Sequence, residues 1–173
     1  MFGRRYQEIL QSRPRIDIPR TRWDSKVDML TWTTIVILLL FTLYAYLSFP
    51  VQEQIKGVNA YRAGNSEVKN ALLILCIVAV SVSVLMMWLR KYPHRFNYPM
   101  KITEENAPRQ YQAAVRMLGL AALTTAIEFL IIAVLLYLDV KQLISSATLW
   151  IILSVILLSW VPLFYYLIVS QRK

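Results

Sequence analysis

Residues 118–138 read LGLAALTTAIEFLIIAVLLYL, twenty-one positions with one charged side chain, Glu128. A helix of about 20 apolar residues spans roughly 30 Å, the thickness of bilayer hydrocarbon. The stretch therefore predicts a transmembrane helix. Three more stretches of the same character lie outward from it: about 30–49, closed by Pro50; about 71–89, closed by Arg90 and Lys91; and about 149–169, followed by Arg172 and Lys173. The chain has 173 residues, 57% of them hydrophobic and only 17% charged, against roughly 25% charged in soluble domains. The expected fold is all-α, a four-helix transmembrane bundle. Residues 1–28 form a separate N-terminal segment and residues 29–173 the four-span domain.

Sidedness follows from the Lys and Arg residues that flank short spans. Seven precede the first span and six lie between the second and third, with two after the fourth; the remaining loops hold four. Alternate sides thus carry 15 and 4, which puts both termini in the cytoplasm. Trp32, Trp88, Tyr165 and Tyr166 fall near the inner boundary, and Tyr44, Tyr46, Tyr137 and Trp150 near the outer one, the depth amphipathic rings prefer. The net charge of +9 is matched to anionic lipid headgroups, because the basic residues flank the apolar blocks. No nucleic-acid-binding motif accompanies it. The first apolar run begins near residue 30 with no small-residue cleavage site after it, which reads as an uncleaved anchor.

The polar segments carry local signals. Phe2, Tyr6, Ile9 and Leu10 share one helical face, suited to a short helix on the inner membrane surface or to a frayed tail. Thr21 and Asp24 have capping-box spacing, so the first helix is expected to begin before the bilayer. Thr103 followed by Glu104 and Glu105 marks a possible start for a cytoplasmic helix that feeds into the third span. Pro108 predicts a kink there or a later start.

Glu128 is the strongest candidate for chemistry, because a carboxylate in mid-span costs several kcal/mol. It is expected to face the bundle interior and hold its proton. Polar partners expected at similar depth are Ser81 and Ser83 on the second span, Ser159 and Trp160 on the fourth, Thr42 on the first, and Thr124 and Thr125 on its own helix. Every Lys and Arg lies outside the spans, so no buried salt bridge is expected. Glu128 is either a proton-carrying or ligand-contacting acid or a hydrogen-bonding strut between helices. Ala79 and Ser83, and Ala122 and Ala126, stand four apart, the small-residue spacing that lets helix backbones approach. Cys76 reads as a buried hydrophobe and the lone His94 as a loop residue rather than a metal ligand. No catalytic, nucleotide-binding or metal-binding motif is present, so neither an enzymatic activity nor a cofactor is expected.

Tyr92-Pro93-His94-Arg95-Phe96-Asn97-Tyr98-Pro99, with Lys101-Ile102-Thr103-Glu104-Glu105-Asn106-Ala107 and Arg109-Gln110-Tyr111, resembles bacterial membrane proteins of the domain of unknown function 1648 family. Ile18-Pro19 and Asp24 are similar too, and the resemblance covers about residues 16–138. It implies an integral protein of the bacterial cytoplasmic membrane. In some relatives this domain forms the N-terminus of immunity proteins of the SdpI type, which protect against a secreted toxic peptide. The family's outer-loop His-Phe pair is missing: residues 53–59 read EQIKGVN. No site residue is carried over. The expectation is a non-catalytic membrane protein, acting alone by helix packing or with a membrane partner or second copy. Immunity or sensing by ligand binding, and proton-coupled transport through Glu128, are the alternatives.

Overall fold

The structure is a computed structural model and describes residues 13–49, 65–98, 100–141, 143, 153, 156, 157 and 159–171. Among these the regular structure is entirely helical. The helices are α1 (Arg22–Ser48), α2 (Asn65–Leu89), α3 (Ala107–Val140) and α4 (Val161–Gln171), with a 3-10 turn at Pro93–Arg95. The first three are long and apolar enough to cross a membrane. For the fourth stretch, the described helix covers its second half, with Pro162 in the first turn, where the ring displaces no helical hydrogen bond. Most of residues 149–160, the N-terminal face built on Phe2, Tyr6, Ile9 and Leu10, and residues 50–64 lie outside the described residues.

Each boundary has a local cause. Thr21 caps α1: its hydroxyl accepts from the Asp24 N–H at 3.3 Å, while Asp24 Oδ2 accepts from the Thr21 N–H at 2.8 Å. This reciprocal box starts α1 eight residues ahead of its apolar run. Phe49 is extended (φ −85°, ψ 122°), as a residue before proline prefers. α3 begins at Ala107, later than the start offered at Thr103. Residues 103–106 instead form a turn in which the Thr103 N–H donates to Asn106 Oδ1 at 2.9 Å and the Thr103 carbonyl accepts from the Ala107 N–H at 2.9 Å. Pro108 sets this start, because its missing N–H costs nothing only in the first turn. From there α3 runs 34 residues, roughly 50 Å at 1.5 Å per residue. Its first turns therefore extend well beyond the apolar run.

α3 is the central element, packed by α1, α2 and α4. On α1 the buried positions are Asp24, Val27, Thr31, Ile35, Leu38, Thr42 and Ala45, a seven-residue repeat on one face. On α2 they are Val68, Leu72, Cys76, Ala79 and Ser83, and the same face continues to Arg90. Ala79, Ser83, Ala122 and Ala126 are all fully or almost fully enclosed. Ser83 Oγ donates across to the Ala122 carbonyl at 3.3 Å. The small-residue spacing read from the sequence is thus the α2–α3 contact.

Two clusters of side chains form the core. One runs between the three long helices, from Leu38 and Ala79 to Phe49, Val68 and Ala133. It ends in an aromatic group in which Phe41, Tyr44 and Phe49 lie 5.5–5.8 Å from the Tyr137 ring. The second, around Tyr98, Ile102 and Tyr111, sits at the opposite, charged end, beneath the strap of residues 13–20.

Candidate functional site: a buried ion network and an isolated carboxylate

At the charged end, the chain leaves α2 through Arg90. Its side chain is only 4% exposed, although it directly follows the apolar run. Its Nη1 pairs with Asp28 Oδ1, and its Nη2 lies 4.0 Å from Asp24 Oδ1. Asp24 Oδ1 also lies 3.8 Å from Arg116 Nε on α3, and Asp28 Oδ2 lies 3.3 Å from Arg20 Nη2 on the strap. Three helices and the strap therefore meet in one network of three arginines and two aspartates. Arg116 also stacks over Trp23, with Cζ 5.6 Å from the ring centroid.

Every Lys and Arg lies outside the apolar runs, and none pairs with Glu128 among the described residues; the buried ion pairs form beyond those runs. The helix faces continue past those runs, so Asp24 and Arg90 stay on the inward stripes of α1 and α2. Gly119 completes the fit. A Cβ at that position would lie 3.2 Å from Arg90 Cζ and 3.3 Å from Nη1. The guanidinium packs close against α3 at Gly119, and a Cβ there would push it back by a few tenths of an ångström.

Beside this network is a cavity of about 190 Å³. Asp17, Arg20, Arg90 and Lys91 supply its charged wall. The strap that borders it is tied down at several points. Arg13 Nη1 donates to the His94 carbonyl at 3.2 Å and to the Phe96 carbonyl. Tyr111 Oη donates to the Pro14 carbonyl at 3.1 Å, and Tyr98 Oη to the Pro93 carbonyl at 2.9 Å. Burial raises the Tyr98 hydroxyl well above its ordinary range, so it stays a donor. His94 is pushed the other way, first by burial and then by the charges of Arg15 and Arg95. No cluster of three metal-binding side chains is present among the described residues.

The side chains named from the sequence do not converge. Glu128 is half-buried, and its Oε1 is enclosed without a hydrogen-bond partner among the described residues. Ser83 spends its hydroxyl on Ala122. Ser81 is exposed, on the far side of α2 from the packed Ala79 and Ser83. Ser159 and Trp160 are also exposed; Ser159 Oγ bonds the Ile156 carbonyl and Trp160 stacks on Phe164. Thr124 bonds the Ala121 carbonyl at 3.1 Å, and Thr42 Oγ1 is enclosed without a partner among the described residues. Cys76 is free and buried.

The Asp24–Asp28–Arg90–Arg116 group went unread although its signal was present. Extending the seven-residue spacing of α1 back from Thr31 lands on Asp24, and extending that of α2 forward from Cys76 and Ser83 lands on Arg90. Comparison with known proteins gives no matching family model, curated protein or solved structure.

Proposed function

We propose that the chain is a non-catalytic, four-span protein of a bacterial cytoplasmic membrane, with both termini inside, acting through helix packing in a membrane assembly. The supporting observation is a groove between α1 and α2. Both helices pack on α3, and between them is a space of about 370 Å³ lined by Thr42, Leu43, Tyr46, Leu73, Cys76 and Ile77. Thr31, Thr33, Thr34 and Ser48 of α1 each bond the carbonyl four residues back, which hides a hydroxyl in an apolar setting. Thr42 Oγ1, on the same helix, has no partner among the described residues. A lipid tail offers it nothing, whereas a neighbouring helix can supply a polar group. Family membership in the domain of unknown function 1648 group rests on residues 92–111, which build the second cluster. Mild detergent extraction tests the proposal. The protein should elute with a partner or as an oligomer, and a clean 20.1 kDa monomer with nothing co-purifying counts against it.

A second reading is favoured by Glu128 Oε1, enclosed without a partner among the described residues. An acid placed so can bind a proton or a ligand's donor, as immunity, sensing or proton-coupled transport requires. Glu128→Gln should then abolish protection against a toxic peptide, or pH-dependent flux in proteoliposomes. Unchanged protection and flux remove Glu128 from any mechanism.

A further inference from the structure

We propose that the cavity beside Arg90 binds a phosphate group, and that its position suits the headgroup of an anionic lipid. This goes beyond the assembly proposal, since a monomer could hold the anion equally well. The site lies between the strap, the end of α2 and α3. Its volume of about 190 Å³ far exceeds the roughly 10–15 Å³ that one water requires.

Charge selects the ligand. Arg20, Arg90 and Lys91 line the cavity with a single carboxylate, Asp17. Adding the groups behind the wall, Asp24, Asp28 and Arg116, four cations still face three carboxylates. Arg90 is the fixed donor. Its guanidinium is held at the Nη atoms by Asp28 and Asp24 and lies against Gly119, while its Nε is buried without an acceptor among the described residues. A buried N–H with no acceptor is costly, and a phosphate oxygen is the acceptor that best suits a guanidinium. Arg20, paired with Asp28 on one side but with 71% of its side chain exposed, and the exposed Lys91 can reach the same anion.

The rest of the wall separates the two sources of phosphate. Ile18 and Met87 are among the apolar residues that line it. A hydrated inorganic ion has no use for such a wall, but the first methylenes of a lipid's acyl chains do. Arg90 also directly follows the apolar run of α2, at the level where headgroups lie if the bundle is embedded as proposed.

The full chain, reconstituted in nanodiscs of phosphatidylcholine with phosphatidylglycerol, tests this by native mass spectrometry. Wild type should retain phosphatidylglycerol over phosphatidylcholine. Losing two charge-assisted contacts in the double variant Arg20→Ala/Lys91→Ala should lower that retention by about tenfold or more. Ile18→Trp fills the cavity without changing its charge and should give a similar loss. Variants are compared at an unchanged melting temperature in phosphatidylcholine discs. In a second arm, inorganic phosphate is titrated into phosphatidylcholine discs. A rise in melting temperature that the double variant loses supports the site and assigns its phosphate to solution. No lipid preference together with no phosphate shift overturns the proposal. So does retention that survives Ile18→Trp, which marks a diffuse surface attraction.

Discussion

Arg90 and Asp28, 62 residues apart in the chain, pair where α2 ends and α1 begins, with 4% and 15% of their side chains exposed. The pair fixes the relative level of two helices that otherwise present each other mostly smooth apolar side chains. Packing of that kind leaves sliding cheap. A charge pair shielded from water does not, because separating the partners strands both.

Arg90→Leu should therefore cost about 3 kcal/mol, the low end of the penalty for breaking a buried pair, because Arg20 still reaches Asp28 and Arg116 still reaches Asp24. Asp28→Asn should cost less, because Asp24 remains near the guanidinium. Thermal unfolding in detergent reads both. A double-mutant cycle should show strong coupling between the two positions, and additive losses would mean that the pair does not set the register.

Gly119 tests the same contact from the other side. Alanine should be nearly neutral, since a helix gains roughly 1 kcal/mol from replacing glycine and the added methyl group crowds the guanidinium at 3.2 Å. Valine should lose about 1–3 kcal/mol by overpacking. A melting temperature unchanged by Gly119→Val would mean that the guanidinium moves freely.

The α2–α3 seam responds to size more than to polarity. Ser83→Ala removes one interhelical hydrogen bond, worth about 0.6 kcal/mol in a membrane helix pair. Ser83→Leu inserts a large side chain where the wild-type residue is fully enclosed and should separate the helices. Cysteine cross-linking between α2 and α3 distinguishes the two outcomes.

The loop should weaken in acid. His94 in the folded protein binds its proton below the ordinary value of 6.5, so the unfolded chain takes up the proton first as pH falls. Stability is then full above about 6.5 and declines as pH drops below it. Melting at pH 7.5 and 5.5 should show this decline, and His94→Asn should reduce it. An equal decline in the variant would assign it to other groups.

The capping box at Thr21 and Asp24, the packing role of Ala79, Ser83, Ala122 and Ala126, and the later helix start at Pro108 were all legible from spacing. Each depends on groups within a few residues of each other or on one helical face. Glu128 was legible as an isolated acid. Its expected partners were not, because depth along a helix says nothing of direction around it: Ser81 and Ser83 are two residues apart, yet one is exposed and the other fully enclosed.

Composition and apolar run length by themselves pointed to four spans, three of which are helices long and apolar enough to cross a bilayer, since solvent preference is a sum over residues and needs no partner. The tertiary structure alone decided which face of each helix turns inward. That choice carries Arg90, a residue beyond the apolar run, onto Asp28 and against Gly119. Burial of a charge depends on the three-dimensional meeting of distant segments, and no count along the chain contains it.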